Sequence, residues 1–159
     1  MTRWHNYYID GHPHFCTATV QDWECVFIGD AIQVIYEKWS DARKLLGVKI
    51  LAYVIMPNHI HVILWAEKGE SISKFLRRTQ SLIARRLRPS GGLWKERPHA
   101  LAISSSSVLR TKVDYIHRNP IRAELVENPE DWEHSSYRQL VIGELNPEFI
   151  CDVWEGLSV

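Results

Sequence analysis

Residues 49–65 constrain this chain more than any other stretch. They form a long β-prone run, broken once by Met56-Pro57-Asn58, and read as two strands, 49–56 and 59–66. Side chains on a strand alternate faces, so residues two apart share a side. His59 and His61 therefore share one side with Ile63 and Trp65. Ile60, Val62 and Leu64 point the other way, into a core. Two imidazoles on a rigid face, roughly 7 Å apart at Cα, can converge on one divalent metal. A bare His-x-His triplet arises often by chance, and a pair of partly exposed strand histidines without any ligand is the commoner case. The rest of the chain changes those odds.

Residues 14–20 alternate and are rich in β-formers, which predicts a first strand with Phe15, Thr17 and Thr19 on one face. Ile32, Ile35, Trp39, Ala42 and Leu46 recur at helical spacing over 31–46, and Gly47 supplies a stop. Ser71 is placed to cap a helix reaching about Leu87, with Ile72, Phe75, Leu76, Thr79, Leu82 and Ile83 inward and the arginines outward. Residues 100–103 read as a short strand, and Ser104 to Ser107 as a cap or joint. A helix is expected over 108–119, with Pro120 disfavouring its continuation. The order strand, helix, strand, strand, helix, strand predicts an α+β, ferredoxin-like split β-α-β sandwich. Its sheet is antiparallel, and a C-terminal helix is added to it. In that topology the first and third strands are central neighbours, so the histidines lie mid-sheet.

At 159 residues the chain has the size of one domain, 1–159. Its core is expected over about 14–138, followed by a C-terminal extension, 139–159. No apolar run reaches the length of a membrane span. Three widely spaced cysteines suggest neither a disulfide framework nor a zinc knuckle, which fits a cytoplasmic setting. The zero net charge hides a polarity. Lys74, Arg77, Arg78, Arg85, Arg86, Arg88, Lys95 and Arg97 face only Glu96 in the middle of the chain, whereas the residues after 123 are strongly acidic. A basic helix and loop suit phosphates, although solvated basic helices are common.

A second stretch completes the pattern. Tyr115 and Asn119 are four apart and share one helix face, while His117 points elsewhere. Tyr115 offers a phenol, and Asn119 an amide oxygen for a hard cation. The run Ala52-Tyr53-Val54-Ile55-Met56-Pro57-Asn58-His59-Ile60-His61-Val62-Ile63-Leu64 closely resembles the signature of HUH-type tyrosine transposases. The run Tyr115-Ile116-His117-Arg118-Asn119-Pro120-Ile121-Arg122-Ala123 resembles that of the REP-associated, single-tyrosine branch. So do Leu125-Val126, Pro129-Glu130-Asp131-Trp132 and Ser135-Ser136-Tyr137-Arg138. Leu93-Trp94-Lys95 matches a further family patch, while Glu96-Arg97-Pro98-His99 departs from it.

The resemblance implies metal ligands at His59 and His61, a nucleophile at Tyr115, and Asn119 where related enzymes carry a glutamine. It implies Mg²⁺ or Mn²⁺ as cofactor, nucleoid-associated work on DNA, and a partner that is single-stranded or hairpin DNA of the REP palindrome type. The expected activity is that of a transposase, which cleaves and rejoins strands through a 5′-phosphotyrosine. The basic residues Lys74, Arg77, Arg78, Arg85, Arg86, Lys95 and Arg97 are the expected DNA contacts. Whether the tyrosine acts in its own subunit or across a homodimer is left open. Ferredoxin-like sheets also bind single-stranded RNA on paired aromatics, but no such motif occurs here. A two-histidine phosphoesterase would want two His-x-Ser/Thr motifs, and neither His59 nor His61 begins one. A domesticated hairpin binder that no longer moves DNA is the remaining alternative.

Overall fold

The computed structural model describes residues 5–152. The part of the C-terminal extension from 153 onward lies outside the described residues. Four strands form one antiparallel sheet: β1 (His14–Thr19), β2 (Lys49–Ile55), β3 (His59–Trp65) and β4 (His99–Ala102). Their order is β2-β3-β1-β4, with β1 and β3 central as the topology predicts. Three long helices complete the frame: α1 (Asp30–Leu46), α2 (Gly69–Leu87) and α3 (Ser106–Arg122).

Strand alternation sorts the core into two layers. Ile60, Val62 and Leu64 pack with Ile32, Ile35, Trp39, Ile72, Phe75 and Ile83, so α1 and α2 cover one face. Ile63, Val54 and Met56 pack with Leu109, Val113 and Ile116, so α3 covers the other. Full burial of each such side chain contributes about 1.5–3 kcal/mol. A one-residue slip of β3 would forfeit several of these and bury His59 and His61 under α1 and α2 instead. A bulge between Ile50 and Ala52 sets Leu51 and Ala52 on the same face, the one that α3 covers. The outer edge of β2 is closed by the C-terminal segment: Ile55 N donates to His134 O, Ser136 N to Tyr53 O and Asp152 N to Ile50 O. Phe149 from the same segment packs against Tyr36, Trp39 and Tyr53. No helix among the described residues is long and apolar enough to cross a membrane.

Two helix boundaries differ from expectation. Helix α2 starts two residues before Ser71, and Ser71 is not its cap. The Asp10 carboxylate, from the segment before β1, accepts the Gly69 N–H at 2.8 Å and supplies the anion that a helix start favours. Gly69 is required there, because a Cβ would lie 2.7 Å from the Tyr8 carbonyl carbon. Helix α3 starts at Ser106, capped by Ser105 Oγ, which accepts from Val108 N at 3.2 Å. It runs through Pro120 to Arg122. Proline removes one backbone donor and disfavours its predecessor's helical conformation. Burial of both Asn119 and Pro120 against the body of the protein accompanies the helical path. The extra turn carries Arg122 onto the face that bears Tyr115.

Candidate active site

The site lies between the β1–β3 centre of the sheet and α3. The register pairs Thr17 with His61 and Thr19 with His59. The histidine rings stand 4.9 Å apart, centroid to centroid. From α3, Tyr115 sets its ring 5.4 Å from that of His61, and Asn119 brings Oδ1 to 3.2 Å from His59 Nε2. The three residues the sequence nominated on the sheet and helix, with Tyr115, therefore converge as expected. His117 faces the opposite way, its Nε2 2.9 Å from Ser136 Oγ in the core.

Each ligand candidate is oriented by a neighbour. Thr17 Oγ1 and His61 Nδ1 lie 2.8 Å apart, so a ring proton on Nδ1 leaves the Nε2 lone pair free. Phe15 stacks on the His61 ring at 5.2 Å. His59 Nδ1 is 2.7 Å from Asn58 Oδ1. A neutral imidazole has one N–H, yet His59 faces two amide oxygens. With the proton held by Asn58, the lone pairs of His59 Nε2 and Asn119 Oδ1 point at each other, an arrangement that a cation relieves. Two imidazole nitrogens and an amide oxygen suit a divalent ion, and nitrogen ligands suit Mn²⁺ better than the oxygen-seeking Mg²⁺. No third histidine, cysteine or carboxylate among the described residues joins the pair, so the donors gathered here are all neutral.

The electrostatics favour such a ligand state. Burial pushes the His61 pKa down to about 3, with help from His59, Lys112 and Arg122. Burial also lowers that of His59. Both rings are therefore neutral at physiological pH, as metal binding requires. Burial likewise brings His117 down to about 4, against the pull of Asp114. In the unfolded chain these histidines titrate near 6.5. Between that value and the folded ones the unfolded state binds more protons, so stability falls as the pH falls. At pH 5 each of His61 and His117 is expected to contribute a loss of about 2 kcal/mol relative to neutral pH. Urea unfolding in EDTA at pH 7.5, 6 and 5 measures it. His117→Gln, which can keep a bond to Ser136, should flatten part of the profile, and a flat profile in the parent protein would contradict the linkage.

Two cations escaped the sequence reading. The Arg122 guanidinium lies 5.0 Å above the Tyr115 ring, and Lys112 Nζ sits 4.7 Å over Phe15 and 5.9 Å over Tyr115. Neither makes a salt bridge among the described residues, so the tyrosine stands in an anion-attracting mouth. Lys112 was legible, three residues before Tyr115 on a helix. Arg122, seven after it, was hidden by the expected end of α3 at Asn119. Alternation puts Thr17 on one face with Phe15 and Thr19, but its pairing with His61 needs the register between strands.

The expected DNA contacts divide. Lys74, Arg77, Arg78, Arg85 and Arg86 are exposed on α2, across the sheet from the histidines, and Lys74 pairs with Glu70 at 2.9 Å. Arg77 and Arg97 line a groove of about 1020 Å³ with Tyr8, Gln80 and Trp94. Lys95 belongs to the site itself: its Nζ is 5.3 Å over the Trp23 ring, whose centroid is 6.0 Å from that of His59.

Comparison with known proteins supplies the relatives of this chain. The REP-associated tyrosine transposase of Escherichia coli (strain K12) is 25% identical over 149 residues, which span 92% of this chain and 89% of the relative. The solved structure of a REP-associated tyrosine transposase bound to a REP hairpin superposes with a TM-score of 0.82 at 24% identity, covering 98% of this chain and 94% of that one. It shares the fold described above. The family described as Transposase IS200 like matches residues 11–119, which include both histidines, Tyr115 and Asn119. The chain thus belongs to the IS200-like transposases, enzymes that cleave and rejoin DNA.

Proposed function

We propose that the protein is a metal-dependent, single-stranded DNA endonuclease and strand transferase. It acts on hairpin-flanked DNA through a 5′-phosphotyrosine on Tyr115. The observation that carries this reading is the convergence of a half-buried phenol, two imidazoles, an amide oxygen and two cations that make no salt bridge among the described residues, all between the sheet and α3. His59, His61 and Asn119 would hold Mg²⁺ or Mn²⁺. When bound, the ion would polarise a non-bridging oxygen of the scissile phosphate and orient it. Lys112 and Arg122 attract that phosphate and offset the charge that builds on it. Tyr115 Oη attacks phosphorus in line: the Oη–P bond forms, the P–O3′ bond breaks, and the leaving oxygen takes a proton to become a 3′-hydroxyl. The phosphodiester's energy is kept, so another 3′-hydroxyl can reverse the step and join strands.

The hairpin is read as the partner because the solved relative was captured with one. Loop residues 93–98 support a continuous path for it. Trp94 and Arg97 line the groove beside α2, and Lys95 reaches the ring next to His59. Arg77, Arg78, Arg85 and Arg86 would add phosphate contacts on the far side, and a homodimer that shares the tyrosine is compatible with this chemistry. The test is incubation of a labelled single-stranded hairpin substrate with Mn²⁺, then a denaturing gel and peptide mass spectrometry. A DNA-linked peptide containing Tyr115 is expected; strand cleavage without any protein–DNA adduct would overturn the phosphotyrosine route.

A further inference from the structure

Trp23 has no role in the chemistry above, yet its placement is unusual. Among the described residues it is the one exposed tryptophan, at 53%. Trp65, Trp94 and Trp132 each donate their indole N–H to a backbone carbonyl, whereas Trp23 donates to no described residue. The backbone that presents it is strained. Asp22 and Trp23 adopt φ of 54° and 56°, consecutive left-handed conformations that non-glycine residues disfavour.

The surroundings fix that strained turn. Val20 N donates to Asn58 O at 2.9 Å, and Gln21 N to Leu93 O at 2.8 Å. The Asn58 side chain does two things at once: Nδ2 donates to Trp23 O at 3.4 Å, while Oδ1 lies 2.7 Å from His59 Nδ1. One amide thus ties the turn that carries the indole to the imidazole of the candidate site. Lys95 Nζ, 5.3 Å over the indole, adds a cation where a strand would pass.

We propose that Trp23 is the stacking platform for an unpaired nucleobase adjacent to the scissile phosphate, with Lys95 on the neighbouring phosphate. The proposal rests on the DNA-cleaving reading and adds to it how the enzyme holds the strand at the cut. A π-face accepts any base, so the contact supplies affinity and position. It fixes the spacing of the cut from the hairpin without reading a base edge.

The experiment uses a fluorescent DNA hairpin whose single-stranded extension is selected from a random pool by tightest binding. Affinities are measured for the parent protein, Trp23→Leu and Trp23→Phe, on this probe and on a series with one abasic nucleotide moved along the extension. Stacking contributes about 1–3 kcal/mol per base, so Trp23→Leu should weaken binding roughly five- to hundredfold, and Trp23→Phe less. At one abasic position the parent protein should weaken by a similar factor, and there Trp23→Leu should cost nothing further. Melting curves confirm folding of both variants. A loss on Trp23→Leu that is equal at every abasic position, or no loss at all, overturns the stack. Absence of a Tyr115 adduct on the same probe overturns the cleavage reading instead, because affinity is measured independently of cutting.

Discussion

Replacing Tyr115 with Phe is expected to reduce strand cleavage by at least ~10³-fold, to background, while DNA affinity and the fold barely change. The hydroxyl is the one atom removed. It makes no hydrogen bond to a described residue, and the ring keeps its contacts with Phe15, His61 and Arg122. A loss this small in packing terms should stay within about 0.5 kcal/mol of stability. The other described tyrosines are poor substitutes. Tyr36 and Tyr53 are buried hydroxyl to hydroxyl at 3.4 Å, and burial raises both phenols, Tyr53 to about 12. Tyr137 packs edge-on to His117, on the core side of α3. Tyr8 stacks on His14, and Tyr7 is exposed in the segment before β1. An adduct that persists in the Phe variant, mapped by peptide mass spectrometry to any of these, would show that the nucleophile lies elsewhere.

Much of this site was legible because two periodicities did the placing. The two-residue repeat of β3 put His59 and His61 on one face, and the apolar residues between them fixed which face turned to the core. The four-residue spacing of Tyr115 and Asn119 did the same on α3. What alternation cannot state is which helix covers which face. Helix α3 lies alone on the histidine side, and the basic helix α2 lies on the other, so a charge count that looked like part of the site was separated from it by the sheet. Local rules also failed where distant residues overrode them. Asp10, far from Ser71 in the chain, starts α2, and the packing of Asn119 and Pro120 carries α3 past its expected end. Trp23 and Asn58 were out of reach for a different reason. Their roles rest on a strained turn held by hydrogen bonds to two distant segments, at Asn58 and Leu93, and no repeat in the sequence encodes it.

The double variant His59→Ala, His61→Ala is expected to lose Mn²⁺ binding at the site, and with it all metal-stimulated cleavage. The donors left behind are a single amide oxygen and solvent, beside Lys112 and Arg122, whose charges repel a cation. In the parent protein the same two charges would oppose an ion held by these residues, whose own donors are all neutral. Binding should therefore be weak for the protein alone and stronger once a DNA phosphate is present to balance the charge. Calorimetric titration of Mn²⁺ into the Tyr115→Phe protein, with and without hairpin DNA, measures that coupling without turnover. Because His61 is buried against Phe15, its truncation opens a hole that can itself cost stability. The pair His59→Gln, His61→Gln serves as the second measurement, since it keeps volume and polarity while replacing both imidazoles. Loss of Mn²⁺ binding in both double variants, with melting temperatures close to the parent's in the glutamine pair, supports the ligand assignment. Mn²⁺ binding of unchanged affinity and stoichiometry in the folded glutamine pair would place the metal somewhere other than this strand.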